Sequence, residues 1–542
     1  MWRGRHVPQT PVVSVCIPVV SDHGLIHDCL DALVRSRPAA ETEVVVVANG
    51  LSGDGISSLR NREDIVLVRS DVNTGFSGGN NLAARFARGR YLLLLNDDSI
   101  IEAGFVDRLL GAFERDPSVA AVGGRILSAD GTLQEAGSVL WRDGWVAHVG
   151  LGLPADSTAY SYVRYADYVS ANGLLVDRGA WDLVGGLDER YFPAYYEDVD
   201  LCLAIREHGY RVAYEPRARL RHLESQSTAT GFRNFLLIRN RAQLITKWSA
   251  RLDDFGDPPD PIDEAAIDAA VLRAEGRMGR VLVVEASADA ATWRAPLTIE
   301  ALAIAGWSVM VSAPPAKGQA DGRTDRIIRD RMSDLGVDVR VERPEDLVLR
   351  YGSDLGAVVT TGEGTDIGPT PQRPGGASIP QVPVGTDPDE SVVARMPDLA
   401  RRGPDSPPQL DAFGPNEEVA AHGPSDEVTA AHAGIRLAPM TDDVTLRDVA
   451  FVQADAAVRR EYTEFLEHER AILRAALDKT QLALENTQLA LDKTRLALEK
   501  TDADFRRVMD ALQERDRYID ALPSVRVKKW VVGRLPKHES RP

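Results

Sequence analysis

Cysteine is scarce in this chain. Only three cysteines occur among 542 residues, and a small, odd number argues against the disulfide framework of a secreted domain. Cys16, Cys29 and Cys202 fall within apolar strand or helix patterns and lack the close spacing typical of zinc ligands. We therefore expect three reduced thiols and a cytoplasmic location.

Long apolar runs and an excess of positive charge are also absent. No apolar core of signal-peptide length precedes Pro11, and no later run approaches the roughly 20 residues that a membrane span requires. The chain has 63 basic and 81 acidic residues, which gives a formal net charge of −18. We therefore expect a soluble or peripheral protein and no nucleic-acid partner.

Strand and helix signals alternate over the first 250 residues. Apolar runs typical of buried strands cover residues 12–20, 43–50, 64–70 and 91–95. Helical patterns separate them, at residues 25–36 and 73–89. This order predicts an α/β fold with a doubly wound sheet covered on both faces, and the chain length predicts two or more domains in all.

The apolar run YLLLL ends at Asn96-Asp97-Asp98. Ligands of open α/β sheets bind at the carboxyl ends of the strands, and paired aspartate oxygens suit Mg²⁺ or Mn²⁺ carrying a diphosphate. A structural alternative remains open. Residues 99–102 (SIIE) have the pattern of a capping box ahead of an amphipathic helix through Phe113, so the aspartates could belong to a strand-to-helix turn.

Further polar and glycine residues follow the neighbouring strands and would open on the same edge. Glycines let the backbone approach a ligand closely and amides can bind a base or sugar, although each such residue alone is also an ordinary turn residue. Because several loops converge, we predict a nucleotide site there. The candidate donor-binding residues are Pro18, Asn49, Asp54, Asn73, Gly75, Gly79, Asn81 and Asp97.

A second acidic cluster opens a helix at residue 197. Asp198, Cys202 and Ile205 share one helical face, which turns Asp198 inward and makes it the candidate general base. Acidic residues are also favoured at any helix N-terminus, which is the structural alternative. Its neighbours Tyr196 and Glu197 are candidate acceptor or secondary residues.

Two single residues complete the candidate site. Asn172, in the loop YVSANG, is a further acceptor or secondary candidate. His222 could ligate a metal through a neutral imidazole, although a lone histidine is more often structural.

These motifs resemble a known family. Asn73-x-Gly75-Phe76, LLLLNDDS, GGLDERYFPAYYEDVDLC and Arg221-His222 occur in the order seen in inverting family 2 glycosyltransferases of the GT-A fold, especially bacterial rhamnosyl- and galactofuranosyltransferases. The resemblance covers residues 10–250, and residues 232–248 are similar to the Arg-Asn-containing helix that closes the family's domain.

The resemblance implies roles for these residues. Asn96-Asp97-Asp98 would be a variant of the metal-binding DxD motif, with Asp98 and His222 as ligands of Mg²⁺ or Mn²⁺ and Asp198 as base. The implied donor is a nucleotide-diphosphate sugar of the dTDP-rhamnose or UDP-hexose type, and the implied acceptor is a cell-envelope glycan, possibly lipid-linked. Ala48 departs from the family, which usually has an acidic residue there, and Asp54 is the candidate replacement.

The chain changes character after residue 250. Residues 278–363 carry a second, smaller Rossmann-like pattern similar to the N-terminal half of GT-B glycosyltransferases, but it lacks a phosphate-binding glycine signature. We interpret it as degenerate or purely structural. Residues 364–450 are rich in proline, glycine and acids, which predicts a disordered linker.

Residues 455–522 predict a long helix with a seven-residue repeat. Its leucines recur in steps of five and two and flank a strip of alanine and threonine, which favours self-association in a multi-helix bundle or a partner helix over a single exposed helix. The tail 523–542 is basic and contains Trp530. It predicts peripheral contact with an anionic membrane, with a solvated tail as the alternative.

Two other functions remain open. A sugar nucleotidyltransferase would need a basic, glycine-rich loop after the first strand, which residues 18–23 do not resemble. A catalytically silent GT-A scaffold that acts through its coiled coil is the stronger alternative, because of Ala48 and the long C-terminal half.

Overall fold

The structure is a computed structural model that describes most of the chain. The described residues are 11–21, 24–51, 54–223, 230–277, 279–285, 293, 296–313, 323–351, 355–360, 379, 381–383, 435–436 and 442–521. They fall into two compact units, Met1–Val458 and Arg459–Pro542. Within the part of the chain that is described, no helix is both long enough and apolar enough to cross a membrane.

The first unit begins with the predicted α/β domain. Its strands are β1 Val13–Val19, β2 Thr42–Asn49, β3 Val66–Ser70, β4 Tyr91–Leu94, β5 Ser99–Ile101, β6 Val119–Leu127, β7 Leu133–Glu135, β8 Ser138–Leu140, β9 Val146–His148, β10 Arg164–Tyr165, β11 Leu174–Asp177 and β12 Arg211–His222. Its helices are α1 Leu25–Ser36, α2 Asp54–Arg60, α3 Gly75–Phe86, α4 Phe105–Arg115, α5 Arg178–Val184, α6 Glu197–Glu207 and α7 Thr230–Leu252.

The large sheet is mixed and doubly wound, as predicted. Strands β3, β2, β1 and β4 are neighbours and run parallel, and β11 pairs antiparallel with both β4 and β6. Side chains of β1 alternate between two cores, with Val15 and Ile17 in one and Cys16 in the other. Helices therefore cover both faces, which explains why the strands read as continuous apolar runs.

The capping box expected at residues 99–102 is wrong. Ser99–Ile101 forms β5, which pairs antiparallel with the end of β12 and places Ser99 opposite His222. Helix α4 starts later, at Phe105, after Gly104 with φ 77° and without a side-chain cap. Strand pairing therefore overrides the local capping pattern, and it brings His222 beside the aspartates of the preceding loop.

A smaller parallel sheet follows in the same unit. Its strands are β13 Arg280–Val284, β14 Ser308–Ser312, β15 Asp338–Arg340, β16 Leu355–Thr360 and β17 Gln381–Pro383, in the order β15-β14-β13-β16-β17. Its helices are α9 Pro296–Ile304, α10 Arg323–Asp334 and α11 Pro344–Tyr351. Helix α8, Glu264–Glu275, precedes this sheet and packs with Ala270 and Val271 in the core of the first domain. Strand β17 lies beyond residue 363, so this sheet extends past the predicted domain boundary.

The range predicted to be a disordered linker contains regular elements where it is described. Besides β17, β18 (Ile435–Arg436) pairs parallel with β3, and the long helix α12 (Asp442–Ala521) begins earlier than the repeat predicts. Phe451 of α12 packs on Phe192, with ring centroids 5.8 Å apart. The rest of 364–450 and the basic tail 523–542 lie outside the described residues.

The second unit holds the remainder of α12. From Arg459 onward the described side chains are mostly exposed, including two rows of leucines that are each more than half exposed.

Candidate active site

The loop after β4 holds the two predicted aspartates. Asp98 is buried, and its carbonyl oxygen accepts a 2.9 Å hydrogen bond from the Leu223 amide. The Oδ1 atom of Asp98 lies 3.1 Å from Nε2 of His222, and Nδ1 of His222 lies 3.2 Å from Oε1 of Gln134. The two ring nitrogens of His222 therefore lie between the Gln134 amide oxygen and the Asp98 carboxylate.

This donor set fits a hard divalent cation. Carboxylate oxygen and neutral imidazole nitrogen are both metal ligands, and the neighbouring Asn96 Oδ1 is buried without a hydrogen-bond partner among the described residues. Burial and the charge of Asp98 raise the pKa of Asp97 to about 7, so a cation would relieve crowded negative charge. Among the described residues no group of three or more His, Cys, Asp and Glu side chains could hold a metal.

The predicted donor loops meet at one edge of the sheet, but two of their amides are engaged with each other. Asn49 is fully buried, and its Oδ1 accepts hydrogen bonds from the amide and hydroxyl of Thr74 at 2.8 and 2.9 Å. Its Nδ2 donates to the carbonyl of Gly75 at 2.9 Å. Asn73 Oδ1 accepts from the Gly75 amide at 2.8 Å. Asn49 and Asn73 thus shape the loop.

Two glycines of this region are required by close approach. Gly75 has φ +69°, and a Cβ there would lie 2.7 Å from the carbonyl oxygen of Pro193. A Cβ on Gly79 would lie 2.7 Å from the side chain of Pro18. Pro18 and Gly79 therefore pack on each other where α3 meets β1.

Asn81, Asp54 and Ala48 lie in three different surroundings outside this loop network. The side chain of Asn81 donates to Leu187 and Glu189 at 2.8 and 2.9 Å and accepts from the Leu187 amide at 3.0 Å. It therefore holds the loop ahead of α6. Asp54 begins α2, and its side chain lies outside the described residues. Ala48 is fully buried.

Asp198 lies in the first turn of α6, with Cys202 and Ile205 buried along the same face as predicted. Its Oδ2 accepts a 3.3 Å hydrogen bond from the Ala171 amide. Burial and the charge of Glu135 raise its pKa to about 6. A carboxylate poised near neutrality suits a general base.

The residues flanking Asp198 are also unusual. Tyr195 and Tyr196 have φ values of 79° and 75°, a conformation that costs non-glycine residues energy. Glu197 is buried, and its Oε2 has no hydrogen-bond partner among the described residues. Burial and the charge of Asp198 raise the pKa of Glu197 well above its usual range.

Asn172 connects the two aspartate sites. Its Oδ1 accepts from the Asn96 amide at 3.3 Å and from the Ser99 hydroxyl at 2.8 Å. The preceding residue, Ala171, donates to Asp198. The Nδ2 atom of Asn172 is buried without a hydrogen-bond partner among the described residues. One short segment therefore fixes the spacing between the metal-ligand candidates and the candidate base.

Sequence reasoning missed three side chains that the hairpin region brings to the site. Gln134 contacts His222, and Glu135 and His148 interact electrostatically with Asp198. Gln134 and Glu135 are neighbours in β7, whose three residues are too few to show a pattern. The polar pair Gln134-Glu135 was the signal in the sequence that could have indicated these site residues.

The mixed, doubly wound sheet with paired aspartates after β4 is that of a GT-A domain. Residues 8–243 match the family described as Glycosyltransferase like family 2. The N-acetylglucosaminyl-diphospho-decaprenol L-rhamnosyltransferase of Mycobacterium tuberculosis is 32% identical over 238 residues, which cover 40% of this chain and 76% of that protein. The chain belongs to the family 2 glycosyltransferases.

Other similarities cover smaller parts of the matched proteins. The O-antigen biosynthesis protein RfbC of Myxococcus xanthus is 30% identical over 236 residues, covering 42% of this chain and 18% of that protein. The match to an uncharacterized protein of Sinorhizobium fredii, y4gI, is 28% identical and spans 46% of this chain and 28% of that protein. A solved structure of GalNAc-T7 with UDP, GalNAc and Mn²⁺ aligns with a TM-score of 0.37 and 13% identity, covering 46% of this chain and 50% of that one.

Proposed function

We propose that the chain transfers a sugar from a nucleotide-diphosphate donor to an acceptor hydroxyl with inversion of configuration. The observation that carries this proposal is the arrangement around residues 170–172. This segment joins Asp198 on one side to the loop of Asp97 and Asp98 on the other. A base and a diphosphate site at a fixed separation are what a single displacement requires.

The side chains take separate roles in this reaction. Asp198 accepts the proton of the acceptor hydroxyl while that oxygen attacks the anomeric carbon from the face opposite the leaving diphosphate. Asp97 contacts the donor sugar or ribose. Asp98 and His222 would hold Mg²⁺ or Mn²⁺, which supplies Lewis-acid stabilisation of the departing diphosphate when bound.

Replacement of the base tests this assignment. Asp198→Asn is expected to keep donor binding but lower turnover by about 10²–10⁴-fold, because a positioned general base contributes that much. Titration calorimetry measures donor binding and product formation measures turnover. Glu207→Gln, at the exposed end of the same helix, is the matched control. Turnover of Asp198→Asn near that of the unaltered chain would refute Asp198 as the base.

The substrate class follows from the family and its named members. We infer a dTDP-rhamnose or UDP-hexose donor and a lipid-linked or polysaccharide acceptor, supported by the names of the Mycobacterium tuberculosis and Myxococcus xanthus relatives. A panel of sugar nucleotides with and without Mg²⁺ or Mn²⁺ tests donor and metal together. If no donor in the panel is hydrolysed or transferred, that result would favour the catalytically silent scaffold.

We further infer that α12 self-associates. A strip of leucine and threonine at alternating steps of three and four residues runs along its exposed part, which is the spacing of a coiled-coil seam. The members of this strip are Leu477, Thr480, Leu484, Thr487, Leu491, Thr494, Leu498 and Thr501. Each threonine hydroxyl donates to the carbonyl four residues earlier at 2.8–2.9 Å. These hydroxyls are satisfied within the helix, so a second copy could cover the strip without burying an unpaired donor.

Two matched double variants test the seam. Leu484→Glu with Leu491→Glu places charge in the strip, whereas Leu482→Glu with Leu489→Glu places it in the other leucine row. Sedimentation of the full chain is expected to show dissociation for the first pair and the unaltered oligomer for the second. A monomeric unaltered chain, or equal effects of the two pairs, would contradict this seam.

The basic tail remains the proposed membrane contact. Deletion of residues 524–542 is expected to abolish co-sedimentation with anionic vesicles, because each basic residue near such a surface contributes about 1 kcal/mol. Unchanged co-sedimentation would refute this contact.

A further inference from the structure

A buried glutamate and a half-exposed histidine form a pair that is connected to the candidate base Asp198. Glu135, at the end of β7, is 2% exposed, and its Oε1 accepts a 2.9 Å hydrogen bond from the Ser170 amide. Its Oε2 lies 3.3 Å from Nδ1 of His148 in β9. The Ser138 hydroxyl lies 2.9 Å from the same nitrogen. The Ser170 amide and the Ser138 hydroxyl of β8 therefore fix this acid–imidazole pair.

The pair is connected to Asp198 through the backbone. Ser170, which Glu135 holds, is followed directly by Ala171, whose amide donates to Asp198 Oδ2 at 3.3 Å. The next residue, Asn172, is tied to the loop of the paired aspartates. A shift of Glu135 would therefore move the amide that orients the base.

We propose that Glu135 and His148 are positioning residues that orient Asp198 and set the pH range over which it accepts a proton from the acceptor. This inference rests on Asp198 being the base of the proposed transfer. In this proposal neither side chain contacts the substrate, and both act through Asp198.

The charges around Asp198 give the two partners opposite effects. Burial is the largest influence that raises the pKa of Asp198, and the Glu135 charge is the next, whereas His148 lowers this pKa. Burial tends to lower the pKa of His148, but the hydrogen bond to Glu135 and its charge outweigh burial and raise it. Other titratable and charged groups facing the pair come from the neighbouring elements. They are Tyr168, Tyr196, Glu197, Cys202 and Arg233.

The sign of each effect can be stated in advance. A base is active when deprotonated, so kcat/KM falls as the pH drops through the pKa of Asp198. Removing the charge of Glu135 with Glu135→Gln lowers that pKa and moves the acid limb of the profile to lower pH. Removing the cation with His148→Gln raises that pKa and moves the acid limb to higher pH.

The experiment compares pH profiles of kcat/KM for the full chain. We expect shifts of about 1 pH unit in opposite directions for Glu135→Gln and His148→Gln, since a nearby charge moves a pKa by that order. The double variant is expected to lie between them. Glu114→Gln, an exposed change on α4, serves as the control with an unshifted profile. Thermal unfolding of each variant shows whether it has folded.

The outcomes separate this inference from the proposed function. If Glu135→Gln and His148→Gln lower kcat/KM equally at every pH, or shift the acid limb in the same direction, the positioning role is refuted. If Glu135→Gln does not fold, the test depends on His148→Gln, because His148 is half exposed. The acid limb of its kcat/KM profile is expected to move to higher pH, and an unshifted acid limb overturns the proposal. If Asp198→Asn retains both turnover and the acid limb, the base assignment itself fails, whatever Glu135 does.

Discussion

Gly79 lies where α3 crosses the end of β1. It has helical neighbours on both sides, yet no other residue fits, because a Cβ would lie 2.7 Å from Pro18 and 3.1 Å from Asn49. Gly111 of α4 is also helical, but a Cβ there would meet only the flexible end of Arg115 at 3.3 Å. Two glycines in equivalent secondary structure therefore serve different purposes.

A matched pair of substitutions checks this difference. Gly79→Ala is expected to destabilise the fold by about 1–3 kcal/mol through overpacking, and it should weaken donor binding because Asn49 shapes the donor loop. Gly111→Ala is expected to stabilise it by about 0.5–1 kcal/mol through helix propensity. Urea unfolding measures both. Equal effects of the two substitutions would contradict the packing account.

The cysteines allow a second test at this scale. All three thiols are free and buried, and burial raises the pKa of Cys16 and of Cys202 to about 12. Because the thiolate is the reactive form, we expect no modification of the native protein by a thiol reagent at mildly alkaline pH and three modified thiols in denaturant. Rapid modification of the native chain would contradict the burial of these side chains.

Single residues also show how far a sequence can indicate a site. The positions of Asp98 at a strand end and of Asp198 on a buried helical face could be predicted because each follows a local pattern. Asn49, Asn73 and Asn81 were predicted to bind the donor, but their polar atoms bind the loops themselves. Nothing local distinguishes an amide that binds a ligand from one that binds the backbone.

At the scale of elements, α7 closes the site from outside. Asn240 is fully buried in it, and its Nδ2 donates to the carbonyl oxygens of Tyr191, Ala194 and Tyr195 at 2.9–3.0 Å. This single amide holds the aromatic loop in which two tyrosines adopt positive φ. It gives a physical role to the asparagine of the Arg239-Asn240 pair in this helix.

Removing that amide tests the role of α7. Asn240→Ala is expected to destabilise the fold by about 1–3 kcal/mol, because buried carbonyl groups lose their donor, and to lower turnover because α6 begins directly after the loop. Thr246→Ala, at an exposed position of the same helix, should change stability by less than about 0.5 kcal/mol. Thermal unfolding and initial rates measure the two effects. Wild-type turnover in Asn240→Ala would show that the loop keeps its shape without this amide.

Strand pairing marks the limit of prediction for elements. Strands β1 to β4, α1 and the start of α6 were predicted within a few residues, because apolar runs or local residue patterns mark them, whereas β5 to β10 were not predicted. Residues 99–101 carry a helix-start pattern, yet they pair with β12 because that pairing satisfies backbone groups that a local cap does not reach. For the same reason, local sequence patterns did not indicate Glu135 and His148. Strand pairing in β7 and β9 brings their charges into interaction with Asp198.

At the scale of the molecule, the two α/β domains form part of one compact unit. Tyr160 donates to the buried carboxyl of Asp268 in α8 at 2.7 Å, a contact within the first domain. Across the boundary, the Val163 amide donates to the Ser333 carbonyl oxygen of α10 at 3.0 Å, and the Ser333 hydroxyl donates to the Ser161 carbonyl oxygen at 3.3 Å. Arg340 of β15 lies over the ring of Tyr160 at 4.9 Å. The second domain is therefore joined to the first by hydrogen bonds and by a cation–π contact.

Calorimetry of the full chain checks this joining. We expect the two α/β domains to unfold in a single transition, and Tyr160→Phe to lower its midpoint by removing a hydrogen bond to a buried carboxyl, at a cost of about 1–3 kcal/mol. Tyr210→Phe, at an exposed position, should leave the midpoint unchanged. Separate transitions for the two domains would contradict a single unit.

The short strand β18 has a consequence for how the chain is assembled. The chain leaves the first domain after α8 and returns to it where Ile435 pairs with Leu67. The described elements of the smaller sheet therefore lie between two segments of the first domain. Exchange of these elements would remove their contacts with Ser161 and Val163 but leave the pairing of β18 with β3.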